Sequence, residues 1–192
     1  MEDYPLKKFA TARAFEQWLS RNHTKAQGIR IQIAKKASGI PSINYDQALE
    51  VALCYGWIDG QSKSIDETWY WQRFTPRRPR SSWSKRNRDI VARLIREGRM
   101  QPAGQAEIDK AKADGRWDAA YDSPSNAKVP PDLAAALRKS PKAKRSFDAL
   151  DSRNRFAILY RLATAKKPET RAKRLATFVD LLSKGQKPFP SS

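Results

Sequence analysis

An α+β fold follows from three features of the chain: a small antiparallel sheet covered by helices, then an all-helical C-terminal module. First, GIRIQIAKK alternates strictly, with Ile29, Ile31 and Ile33 on one side and Arg30 and Gln32 on the other. That period of two is a half-buried strand and has no helical counterpart. Second, WIDGQSKSID, which contains Gly60, reads as a strand or a strand-turn, and ETWYWQRFT as another strand rich in aromatics. They read as a strand pair with a hairpin around Gly60–Ser64. Third, every segment from Pro131 onward has helical spacing and opens near Pro, Ser or Asp.

The elements follow in order. Thr11 caps a helix over ARAFEQWLSRN, whose Phe15, Trp18 and Leu19 share a face. The first strand lies near 29–36, and Ser38–Ser42 is a turn. Asn44 caps the helix YDQALEVALCYG, with Ala48, Val51, Ala52 and Tyr55 as its apolar stripe and Gly56 as its stop. Two further strands are expected near 57–65 and 67–75, with Trp57 and at least one of Trp69 and Trp71 buried together as an aromatic wall. Pro76 and Pro79 end the last strand and hold PRRPR extended. Ser82 or Ser84 then caps a helix with Ile90, Val91, Leu94 and Ile95 inward, stopped by Gly98. Another helix runs through QPAGQAEIDKAKAD to Gly115. SPSNAKVPP is a turn-rich break, so the expected division is 1–122, a linker at 123–130, and a helical module at 131–192. In that module Phe147, Leu150, Phe156, Leu159, Leu162, Leu175, Phe178 and Leu182 are expected to face inward, and the tail QKPFPSS to fray.

The formal charge of +18 falls in two places: a net of +8 over 73–99 and of +11 over 138–187. Such a field attracts nucleic acid, phosphate-containing metabolites or acidic proteins. One cysteine permits no intramolecular disulfide, and no apolar run approaches a membrane span. The N-terminus lacks the apolar stretch of a secretory signal, so the expected location is cytoplasmic. The single His23 and single Cys54 cannot build a zinc site, and neither GxGxxG nor GxxxxGK[ST] occurs. No cofactor and no catalytic residue is implied.

The candidate binding residues lie between Trp57 and Asn87. RFTPRRPRSSWSKRN sets Arg73, Arg77, Arg78 and Arg80 beside Ser82, Trp83, Ser84 and Asn87, at a helix start with free N–H groups. Guanidiniums, hydroxyls and a positive helix end make an anion site. Trp57 and Trp71 supply the wall behind it. Asp59, in YGWIDG, is either an acid or base at its rim or a structural carboxylate fixing a turn at Gly60, with Lys63, Arg73 or Arg77 as cationic partner.

ALCYGWIDG, QRFTPRRPRSSWSKRN, EGRMQPAGQAEIDKAKADGRWDAAY, VPPDLAAAL and AKKPETRAKRL, in this order, resemble the bacterial YdeI/OmpD-associated family, also labelled bacteriocin-protection proteins. The resemblance runs from about Phe15 to Gly185. It implies a bacterial origin, an N-terminal α+β part, a helical module from near Val129, and a role in stress or bacteriocin tolerance. It carries no catalytic residues with it.

The functional expectation is thus a non-enzymatic protein that binds an anionic partner through its Arg/Trp-rich segment. Two other readings stand beside it: a nucleic-acid-binding protein, which would show steep salt dependence, and a small-molecule enzyme using a Trp-lined pocket with Asp59.

Overall fold

Alternation decides the sheet. The computed structural model describes residues 4–122, 126–165 and 167–189. Part of the expected linker (123–125) and the last three residues of the tail lie outside them. Two units divide the chain, at 1–120 and 121–192.

In the first unit the elements run β1 (Leu6–Lys8), α1 (Ala12–Asn22), β2 (Ile29–Ala34), α2 (Tyr45–Cys54), β3 (Trp57–Ser64), β4 (Trp69–Pro76), α3 (Lys85–Arg96) and α4 (Pro102–Ala113). The strands form one sheet in the order β1-β2-β4-β3. β2, β4 and β3 are antiparallel, while β1 pairs parallel with β2, Leu6 opposite Arg30 and Lys8 opposite Gln32. The expected three-stranded antiparallel sheet is therefore the body of a mixed one. A three-residue strand such as LKK is too short to show a period of two in the sequence.

Ile29, Ile31 and Ile33 are buried, as the alternation requires. They stand opposite Phe74, Gln72 and Tyr70 of β4, so these six share the inward face. Trp57, opposite Pro76, is inward too, with its ring edge-on to Trp18 at 6.0 Å. Trp69 and Trp71, odd-numbered on the same β4, point the other way. The expected wall of Trp57 with Trp69 or Trp71 is split between the two faces of the sheet.

The hairpin turn lies at Ile65–Thr68 and not at Gly60–Ser64, which belongs to β3. Asp66 builds it: one carboxylate oxygen accepts from the backbone N–H groups of both Thr68 and Trp69 at 2.7 Å. Gly60 marks a register shift between Asp59 and Ser62. There the buried Gln72 amide donates to the Gly60 carbonyl at 2.9 Å, restoring a bond the ladder lacks.

α2 is the centre of the helical layer. Ala48, Leu49, Val51, Ala52, Leu53 and Cys54 are all buried, and the helix touches α1, α3, α4 and β3. Asn44 begins it with a capping box, bonding reciprocally with Gln47. Its C-terminus receives α4 at close range. A Cβ on Gly104 would lie 2.3 Å from the Cys54 carbonyl oxygen, so only glycine fits. Burial pushes the Cys54 thiol up to about 11, which keeps it protonated and unreactive at neutral pH. On α3, Val91 and Leu94 are buried but Ile95 is 43% exposed, so its inward arc is narrower than expected.

The second unit holds α5 (Pro131–Lys139), α6 (Pro141–Asp148), α7 (Ser152–Ala163) and α8 (Pro168–Ser183). Leu133, Leu137, Phe147, Ile158, Leu159, Leu162, Phe178 and Leu182 are among the buried residues of its core, with Leu150 and Leu175 packed at its edge. Phe156 instead joins Tyr121 and Tyr160 in a separate ring cluster. Arg171 ties three helices: it grips Asp132 of α5 with Nε and Nη2 at 2.7 and 2.9 Å and donates from Nη1 to the Leu162 carbonyl at 2.6 Å. Among the described residues, no helix is long and apolar enough to cross a membrane.

The Arg171 guanidinium holds the Asp132 carboxyl below the usual carboxylate range, and the N–H of Asn154 does the same for Asp151. A depressed folded-state value contributes stability above the unfolded value of about 3.9, and that contribution is lost as pH falls through the folded value. The Arg171→Ala variant is expected to be less stable than the parent at neutral pH by about 1–3 kcal/mol. That gap should narrow as pH drops below about 4. Urea melts followed by far-UV circular dichroism measure both; an unchanged gap at low pH would contradict the assignment.

Candidate functional site

The eleven residues singled out between Trp57 and Asn87 fall into five places in the first unit. Trp57 lies in the core, where its indole N–H donates to the His23 carbonyl at 3.2 Å. That bond satisfies the one polar atom of a ring that is 1% exposed.

Asp59 faces the helices. Its carboxylate accepts from the Tyr45 hydroxyl at 3.0 Å. Burial, with the neighbouring Asp59 charge, raises the Tyr45 hydroxyl far above its ordinary value. The expected partners Lys63, Arg73 and Arg77 are replaced by a phenol from the start of α2. The bond joins β3 to α2 and leaves Asp59 on the face opposite Trp71 and Arg73.

Arg77, Trp83, Ser84 and Asn87 form a buried knot. The Arg77 guanidinium lies 3.6 Å from the centre of the Trp83 ring. Its Nη1 also donates to the Ser81 hydroxyl and the Ser82 carbonyl, at 3.3 and 3.2 Å. Trp83 packs on Trp117 with ring centres 5.0 Å apart, and Arg88 covers Trp117 from 5.0 Å. The Ser84 hydroxyl caps α3 by accepting from the Asn87 N–H at 3.1 Å. Arg77 is 7% exposed. Its Nη1 bonds hold its own loop, and stacking on a ring offsets its desolvation.

Arg78, Arg80 and Ser82 are exposed. PRRPR is a turn, not an extended run: the Ser81 N–H donates to the Arg78 carbonyl at 3.0 Å, and Arg80 has a left-handed φ of 66°. Proline at position 79 pre-sets the turn. A cleft of about 550 Å³ beside it is lined by Pro79, Arg80, Lys110 and Arg116, but also by Glu107 and Asp114.

Trp71 and Arg73 belong to the outward face of the sheet. Leu6 and Lys8 of β1 and Arg30 and Gln32 of β2 share that face, as do Trp69 of β4 and Lys63 of β3, which is opposite Trp71. Each cation near a ring lies over it: Lys8 is 4.6 Å from Trp69, Arg30 5.8 Å from Trp71, and Arg73 6.0 Å from Tyr4. Arg30 also donates to the Tyr4 carbonyl at 2.7 Å. The Arg73 guanidinium crosses Gly60, where a Cβ would come within 2.8 Å of its Nε. Among the described residues that Nε is buried without a hydrogen-bond partner. Asp59 is the one acidic residue in the four strands, and it points away. Trp69 and Trp71 lie outside the hydrophobic core, half-buried. Lys8, Arg30 and Trp69 were not among the residues singled out. Carrying the alternation of IRIQIA through WYWQRFT would have placed Arg30, Trp69, Trp71 and Arg73 on one face.

Residues 126–185 match the family model described as Bacteriocin-protection, YdeI or OmpD-Associated (OmdA). Residues 7–107, more than half of the chain, match the one described as Domain of unknown function (DUF8412). The chain belongs to the DUF8412 family and carries an OmdA domain. The resemblance read from Phe15 to Gly185 thus divides: its GWIDG and FTPR motifs lie in the DUF8412 region, and VPPDLAAAL and AKKPETRAKRL in the OmdA domain. No curated protein and no solved structure matches the chain.

The arginines of the DUF8412 region should separate by variant. Arg77→Ala is expected to cost about 2–4 kcal/mol, since it removes a desolvated cation–π stack and the loop's hydrogen bonds. Arg78→Ala and Arg80→Ala should stay within about 0.5 kcal/mol of the parent. Denaturant unfolding followed by tryptophan fluorescence measures all three; a neutral Arg77→Ala would contradict the knot.

Proposed function

We propose that this chain is a non-enzymatic, cytoplasmic protein of the bacteriocin-protection type that engages an anionic partner through the outward face of its sheet. One observation carries the reading. Lys8, Arg30 and Arg73 each lie over an aromatic ring on a face whose strands present no outward carboxylate. Elsewhere in the unit, Arg86, Arg93, Arg99, Lys110 and Arg116 pair with carboxylates. Lys8 and Arg73, with no ion pair among the described residues, keep their field for an external anion. Rings beside them hold the long side chains in place and lower the entropy lost on binding. The segment from Arg77 to Asn87 supplies the scaffold behind this face, through its stacked Arg77 and capped α3.

Titration with heparin across a salt series tests the reading. Binding should weaken steeply with salt. In the Lys8→Gln/Lys63→Gln/Arg73→Gln variant the log–log slope should become shallower by roughly one per cation removed. An unchanged slope and affinity in that variant, with binding abolished instead by Arg78→Gln/Arg80→Gln, would move the site to the loop and overturn the proposal.

A further inference from the structure

We infer that the anionic partner is single-stranded nucleic acid, its bases stacked on Trp69 and Trp71 and its phosphates held by Lys8, Lys63 and Arg73. The inference rests on the reading of the outward face as an anion-binding surface and adds the role of its rings. Tryptophan is a costly residue to leave outside a core, and this face has two. They are two residues apart on β4, so their side chains emerge on the same side about 7 Å from one another. That separation gives each ring room for its own base.

The cations are arranged to follow a strand of phosphates past those rings. Lys8, Gln32, Trp71 and Lys63 form one row across all four strands, by the pairings Lys8 with Gln32, Gln32 with Trp71 and Trp71 with Lys63. With strands about 4.8 Å apart, a lysine ends the row on each side of the ring. Arg73 stands one row on, opposite Arg30. Gln32 puts an amide beside Trp71, where it can donate to and accept from a base edge. Rings flanked by cations, on strands whose one acid, Asp59, faces the other way, suit an unpaired base and its phosphate together.

Other polyanions use only half of this surface. In a duplex the base faces are covered by their neighbours, so flat rings on a flat sheet have nothing to stack on. Heparin has no aromatic face. For both, the two tryptophans would be idle. In the free protein Lys8 lies over Trp69 and Arg30 over Trp71. An arriving base displaces the side chain over its ring, Lys8 then reaching a phosphate, and a cation–π contact is exchanged for base stacking.

Fluorescence anisotropy of the full chain tests this with labelled dT12 and U12, a 12-base-pair duplex and labelled heparin as probes. Single strands are expected to bind at least about tenfold tighter than the duplex at equal salt. Trp69→Ala and Trp71→Ala should each weaken single-strand binding about fivefold or more and leave heparin binding unchanged. Circular dichroism verifies that the fold persists, and Trp71→Phe, which keeps a smaller ring, should lose less than Trp71→Ala. Equal binding of single strand, duplex and heparin, insensitive to both tryptophans but weakened by Arg73→Gln, would overturn this inference and leave the anion-binding reading standing. Failure of all four probes to bind would overturn both.

Discussion

The burial of α2 decides how the first unit is built. Six of the ten residues of α2 are buried, and the helix packs on β3 and on α1, α3 and α4. The close approach of α4 depends on Gly104, where the Cys54 carbonyl leaves no room for a side chain. With the helices committed to α2, they gather on one face of the sheet. The other face keeps the polar and amphipathic residues that alternation assigns to it, as a largely antiparallel sheet allows.

This division sorts the positive charge. Around the helices, arginines are used in structure: Arg93 and Arg99 share Glu50 and Glu97, Arg116 pairs with Asp114, and Arg77 is stacked on Trp83. The half-exposed pairs among them add little stability, because water screens them. On the outward face Lys8, Arg30 and Arg73 lie over rings. A formal charge of +18 therefore means different things in different places, and the count alone does not locate a site.

Much of this was legible. Ile29, Ile31 and Ile33 announced a strand and its buried side. Thr11, Asn44 and Ser84 announced helix starts, since their side chains supply the missing acceptors. The OmdA domain was legible from its own motifs. What failed were features set by pairing partners. β1 is recognisable only beside β2, and Gly60 looked like a turn because glycine serves bulges as well as hairpins. The candidate residues are scattered for a related reason. Trp57, Trp71, Arg73 and Arg77 are close in sequence, but a strand sends neighbours to opposite faces. Proximity along the chain therefore grouped a core ring, an outward pair and a buried clamp.

The central claim is that binding belongs to the outward face and that the other tryptophans are structural. Each of the six tryptophans carries one indole N–H, a separate reporter in a nitrogen–proton correlation spectrum. During titration with a short single-stranded oligonucleotide, the Trp69 and Trp71 signals should move, while those of Trp57 and Trp83 stay in place. Movement of Trp83 and Trp117 with Trp69 and Trp71 unaffected would put the site on the Arg77–Asn87 segment and contradict this account.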